Sequence, residues 1–71
     1  MFGTELRKLR ETRGLTQEEL AERAGVHRTY VSLLERNKKS PTLDVLFRVC
    51  RALRIAPSKM IARVEARDEN R

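Results

Sequence analysis

Apolar residues recur along this chain at the three- and four-residue spacing of helices, and nowhere alternate with the period of two that marks a strand. Five amphipathic blocks follow from that pattern. The first spans residues 2–13, with Phe2, Leu6 and Leu9 on one face and Lys and Arg on the other, and closes at Gly14. The second opens on Thr16-Gln17-Glu18-Glu19. That is a capping box: Thr16 caps the first-turn amides and Glu19 reaches back to the amide of Thr16. Its apolar face is Leu20, Ala21 and Ala24, and the two alanines admit a close helix crossing. Gly25 breaks the pattern. The third block, residues 27–36, carries Val31 and Leu34 at helical spacing, with Asn37 suited to a left-handed cap behind it. After the turn at Ser40-Pro41, Thr42 caps a fourth block, residues 43–53, whose core face is predicted as Leu43, Leu46, Phe47, Cys50 and Leu53. Pro57 suits the first turn of a fifth block, residues 57–66, with Met60, Ile61 and Val64 apolar. Residues 67–71 are all charged or amide and read as a frayed tail.

The fold class predicted is therefore all-α: five short helices around one core over residues 1–66, followed by the charged tail 67–71. A chain of 71 residues is one domain. It buries only about 60% of its unfolded surface, so a second subunit would help to stabilise it.

Composition narrows the chemistry. Cys50 stands alone and cannot close an internal disulfide, and with the single His27 it falls short of the roughly four ligands of a structural zinc site. No metal or cofactor is expected, and a reducing, cytoplasmic location fits. No apolar run approaches the roughly 20 residues of a membrane span, and the opening MFGTELRKLR turns charged at once, unlike a signal peptide. Enzymatic readings fail on content: no nucleophile motif, no phosphate-cradling glycine loop, no paired carboxylates in a plausible cleft. The net charge of +6 and isoelectric point near 10.5 favour a polyanionic partner.

The joint between the second and third blocks locates that partner. A capped helix of about two turns, then Ala24-Gly25-Val26, then a second amphipathic helix is the pattern of a helix-turn-helix. Val26, Val31 and Leu34 pin the third helix inward, so its other face, with Arg28, Thr29, Ser32, Leu33 and Arg36, points outward. A helix about 10–12 Å across fits a major groove about 12 Å wide. Arg28 and Thr29 lie in the first turn, the part of such a helix that reaches base edges. Arg28 suits guanine O6 and N7 as a bidentate donor, and the methyl of Thr29 suits a thymine methyl.

Residues 6–53 resemble the lambda-repressor-like, Cro/repressor-type helix-turn-helix family, also called the xenobiotic-response-element family. The resemblance is carried by LRKLRETRGLTQEELAERAGV, the SLLER of the third helix, and SPTLDVLFRVCRAL. The stretch HRTYVSLLERN is similar to that of restriction–modification controller proteins. The resemblance implies double-stranded DNA as partner, with Gln17 on a phosphate and Arg28, Thr29 and Ser32 on bases or adjacent phosphates. It places Tyr30 on the DNA backbone, and Arg36, Asn37 and Lys38 in the loop that grips flanking phosphates. It pairs Arg10 with Glu35 as a buried ion pair tying the first helix to the third. It also puts the dimer interface on the last helix and the turn before it, hence on Ile55, Ile61 and Val64. Three positions depart from the family pattern. Leu33 replaces a polar or basic reader and either meets a thymine methyl or fills space. His27 replaces a Ser, Thr or Asp cap; imidazole caps poorly, so it is expected to reach toward DNA. Arg54 replaces a glycine after the fourth helix, where strain is expected.

Several residues keep two readings at this level. Tyr30 fits the core as well as a phosphate, and Ile61 and Val64 fit the core as well as a dimer interface. Lys38 and Lys39 fit the helix dipole as well as phosphate. Glu18 and Glu22 form an acidic spot, which either favours the helix N-terminus or touches RNA polymerase. The function expected is a sequence-specific transcriptional regulator, repressor or controller, that binds a near-palindromic operator as a homodimer. The rivals are an antitoxin-type protein-interaction module and a non-specific basic nucleic-acid binder. Such a regulator is expected in the cytoplasm, bacterial or phage-encoded.

Overall fold

A computed structural model describes residues 1–69. It contains helices α1 (Phe2–Thr12), α2 (Gln17–Ala24), α3 (Arg28–Glu35), α4 (Leu43–Ala52) and α5 (Pro57–Glu69), with no strand among the described residues.

The starts and stops have local causes. At α2 the Thr16 hydroxyl accepts from the Glu19 amide at 3.0 Å, and the Glu19 carboxylate accepts from the Thr16 amide at 2.9 Å. At α4 the Thr42 hydroxyl accepts from the Val45 amide at 3.2 Å. Gly25 ends α2 at φ +71°, a left-handed backbone that costs glycine little. That turn returns the Val26 amide to the Ala21 carbonyl at 3.0 Å and starts the chain back as α3. Asn37 takes the same left-handed conformation at φ +59° after α3, and Arg54 at φ +57° after α4.

The core is a single cluster in which Leu6, Leu20, Val31, Leu34, Val49, Cys50, Leu53 and Met60 are fully buried. Helix α2 packs on both α3 and α4, α1 packs on α3 and α5, and α4 packs on α5. One contact is closer than any side chain permits. A Cβ on Gly3 would stand 2.0 Å from the Leu34 carbonyl oxygen, so the N-terminal turn of α1 lies directly on the C-terminal turn of α3.

Four expectations are corrected. First, α1 ends at Thr12 with Arg13 as its C-cap, and α3 is bounded by His27 and Arg36 as caps rather than including them. Second, Leu43 and Phe47 are not core: they are 68% and 47% exposed. The buried stripe of α4 is Leu46, Val49 and Cys50, continued by Leu53, which is the C-cap rather than the last helical residue expected, and Phe47 stands about 100° around the helix from Leu46. Val49 is the residue that the apolar reading passed over. Third, α5 runs three residues past its expected end to Glu69. Fourth, Arg67, assigned to a frayed tail, donates from Nε to the Glu5 carboxylate, which fastens α5 back to α1. Residues 70 and 71 lie outside the described residues.

Candidate nucleic-acid interface

Helix α3 has two sides that the packing makes unequal. Val31 and Leu34 are fully buried, and Glu35 is buried with them. Arg28, Thr29, Arg36 and Lys38 are exposed, and Ser32 and Leu33 are half-buried beside them. The outward side is therefore a short strip of two arginines, a lysine and small hydroxyls. One apolar residue, Leu33, lies within reach of it.

Behind the strip, one carboxylate organises three elements. Glu35 accepts from Arg10 Nε at 2.6 Å and from Arg10 Nη2 at 3.0 Å, a bidentate pair. The side chains of Arg10 and Glu35 are only 11% and 2% exposed. The bond to Glu35 holds the Arg10 guanidinium above its already high ordinary range, against the opposing effect of burial. Arg10 also donates from Nη1 to the Leu15 carbonyl at 2.6 Å. The same Glu35 accepts from Gln17 Nε2 at 3.1 Å. The amide of Gln17 is thus turned inward on the carboxylate. Its backbone N–H, in the first turn of α2, remains available to a phosphate.

Two other site residues are placed differently from their sequence reading, and a third, Tyr30, takes up the core contact that was one of its two readings. His27 does cap α3: its Nδ1 accepts from the Thr29 amide at 3.2 Å. Imidazole was expected to cap poorly, but with its proton on Nε2 it has a free acceptor at Nδ1. The extended backbone of His27, φ −78° and ψ 145°, aims that acceptor at the helix. Only Nε2 then remains for a partner. Asn37 is directed away from the outward strip. Its Oδ1 accepts from the Gly3 amide at 2.9 Å and its Nδ2 donates to the Thr4 hydroxyl at 3.4 Å. It caps α1 by accepting from the Gly3 amide in the first turn. Tyr30 packs partly against the core while the Lys39 ammonium sits 5.8 Å above its ring centroid. That cation–π contact ties the Lys39 side chain back to α3 through Tyr30. The sequence signal for it was an aromatic residue nine positions before a lysine, across a turn, which no helical spacing predicts.

The residues expected at a dimer interface are unequally exposed. Ile61 is 50% exposed, whereas Ile55 and Val64 are half-buried, Ile55 against the core. Glu18 and Glu22 are both exposed on α2. Among the described residues no three His, Cys, Asp or Glu side chains gather as metal ligands. No described helix is long and apolar enough to cross a membrane. Cys50 is buried, and desolvation pushes its thiol above the ordinary range, away from the reactive thiolate.

The sequence and the fold are shared with known regulators. Residues 6–60 match the family described as Helix-turn-helix. The control protein C.SmaI of Serratia marcescens is 36% identical over 64 residues, spanning 90% of this chain and 76% of the relative. The restriction–modification controller protein C.AhdI from Aeromonas hydrophila superposes with a TM-score of 0.81 at 39% identity, over 83% of this chain and 89% of that one. The biofilm regulator SinR, solved in complex with DNA, superposes with a TM-score of 0.81 at 32% identity, over 86% and 98%. The capped helix pair, the outward strip on α3 and these matches lead to one assignment: the chain belongs to the lambda-repressor-like helix-turn-helix family of transcriptional regulators.

Proposed function

We propose that this chain binds a near-palindromic operator in double-stranded DNA as a homodimer and acts as a repressor or restriction–modification controller. The observation that carries this is the asymmetry of α3: Val31 and Leu34 are fully buried while Arg28 and Thr29 are exposed, and Arg36 and Lys38 are exposed in the turn that follows the helix. Two copies place two such helices in successive major grooves, about 34 Å apart. Arg28 and Thr29 read bases from the first turn of α3, with Ser32 and Leu33 behind them. The backbone N–H of Gln17 and the side chains of Arg36, Lys38 and Tyr30 hold phosphates, and His27 presents Nε2. Asn37 contributes by holding α1 on α3 rather than by touching DNA.

Ile61 is the centre of the dimer contact, flanked by Val64 and Ile55. The folded unit extends past residue 66, because Arg67 of α5 pairs with Glu5 of α1. The protein is not an enzyme and works in the cytoplasm. Its exposed Glu18 and Glu22 offer an acidic surface to RNA polymerase when the operator adjoins a promoter.

The test is in-vitro selection from random duplexes at about 150 mM salt, where non-specific binding is suppressed. Enrichment of two symmetric half-sites is the result expected. Binding that tracks salt without enrichment sinks base readout and favours a non-specific binder. Absence of binding favours a protein-interaction module.

A further inference from the structure

The side of the molecule formed by α2 and α4 carries a second concentration of charge. An open cleft of about 590 Å³ lies where the C-terminal ends of these two helices meet, and Arg23, Arg48, Arg51 and Arg54 line it with Glu22, Ala24, Gly25 and Ala52. Among the described residues the four guanidinium groups form no hydrogen bond or ion pair, and neither does the Glu22 carboxylate. Arg23 meets Glu19 only as a through-space charge interaction. Four cations face one carboxylate, a formal excess of +3.

The ordinary explanation is that arginines sit near helix C-termini because the helix dipole favours them there. It covers Arg23 and Arg51, which stand in the last turns of α2 and α4. It does not cover Arg48, which precedes the last turn, or Arg54, which follows the helix. The helix ends also have partners already. The Ala21 and Glu22 carbonyls accept from the Val26 and Gly25 amides, and those of Cys50 and Arg51 from the Ile55 and Arg54 amides. The Leu53 carbonyl accepts from Arg13 Nε at 2.8 Å. The cleft arginines are thus not occupied in capping. Arg54 in addition holds a left-handed backbone at φ +57°, where a residue with a Cβ is disfavoured and glycine is not. Strain at a charged residue lining a cleft points to a use for its side chain.

We propose that this arginine-lined cleft is a binding site for a polyvalent phosphate. Every cation in it is arginine, whose planar fork takes phosphate oxygens two at a time. An excess of +3 suits a ligand with several charges rather than a single carboxylate. The volume falls within the ~300–1,000 Å³ typical of ligand sites and admits a di- or triphosphate. The cleft joins the turn that leads into α3 to the end of α4 that leads into α5. A phosphate held there bridges the DNA-reading unit and the last helix. The phosphate comes either from a free nucleotide-like ligand or from the backbone of bound DNA, and the chemistry is the same.

Calorimetric titration of the full chain with sodium tripolyphosphate, at constant ionic strength and without DNA, tests this independently of operator binding. Saturable binding is expected, weakened about tenfold or more in Arg48→Ala/Arg51→Ala. A variant with the same charge loss outside the cleft, Lys8→Ala/Arg63→Ala, is expected to stay within about twofold of the parent. Arg54→Gly is expected to weaken tripolyphosphate binding while raising the melting temperature, a pair of opposite effects that a purely structural arginine does not produce. Non-saturable binding, or equal loss in the two double variants, overturns the proposal. The source is then read from the salt dependence of binding to random duplex. A slope lowered by about two in Arg48→Ala/Arg51→Ala assigns the site to DNA phosphates. An unchanged slope with lost tripolyphosphate binding assigns it to a free ligand.

Discussion

Single residues here act through backbone approach and hydrogen-bond valence. Gly3 is the sharpest case, because any Cβ meets the Leu34 carbonyl at 2.0 Å and the Glu35 carbonyl at 2.9 Å. Both are backbone atoms of α3 and cannot swing aside. Gly3→Ala is therefore expected to cost about 2–3 kcal/mol despite the better helix propensity of alanine, as read by urea denaturation. A neutral or stabilising result would show that α1 can lift off α3 freely. Glu19 supplies a pH dependence. Its bonds to the Thr16 backbone and hydroxyl lower its carboxyl pKa below the ordinary 4.5. A lowered folded pKa means that the stabilisation is complete above the unfolded value and is lost as pH falls through the folded one. Thermal melts from pH 6 down to about 3 should then show a shallower acid-side decline in Glu19→Gln. There the amide oxygen still accepts from Thr16 but does not titrate.

Elements are joined here by polar contacts placed at helix ends, over an apolar core that is mostly Leu and Val, completed by Ala21, Ala24, Cys50 and Met60. Glu35 alone links α1, α2 and α3 through Arg10 and Gln17. Removing one partner of a buried pair strands the other, so Arg10→Met and Glu35→Leu are each expected to cost about 3–5 kcal/mol. The double variant should lose much less than their sum, because the uncompensated charge is gone. Additive losses in that cycle would show that the two side chains do not interact. The ion pair was legible in the sequence only through a family resemblance, since positions 10 and 35 share no local pattern. The contacts of Asn37 with Gly3 and Thr4, and of Arg67 with Glu5, had no sequence signal at all. They span 33 to 62 positions, and only packing brings such groups together.

At the scale of the whole molecule the charge is distributed, and the two basic regions are expected to respond differently. Arg28→Ala should lose the preference for operator over random duplex while keeping weak binding. Lys38→Ala should weaken both and lower the salt slope by about one. Competition assays at several salt concentrations separate these outcomes, and equal losses on both duplexes for Arg28→Ala would remove it from base readout. Dimerisation belongs to this scale too. Ile61 is half exposed on α5, while its expected companions are partly covered by their own protomer. Ile61→Glu is expected to shift sedimentation from dimer to monomer at micromolar concentration without lowering the helical content. A dimer that survives this change uses another surface, for which the exposed Leu43 and Phe47 are available.

The chain by itself determined what depends on neighbours a few residues apart. Helical periodicity, the capping box at Thr16 and Glu19, the left-handed turn at Gly25 and the unequal sides of α3 are all local, and with them the all-α class and the helix-turn-helix. The tertiary structure decided whatever depends on which groups meet. It took Leu43 and Phe47 out of the core and put Val49 in, because the burying surface of α4 is set by α2 and α5 rather than by hydrophobicity alone. It turned Asn37 from the outward strip to the N-terminus of α1, where first-turn amides lack partners within their own helix. It gathered Arg23 and Arg48 from separate helices into one cleft with Arg51 and Arg54. Charge along a sequence states how many cations there are, but their approach to one another is fixed by the crossing of helices.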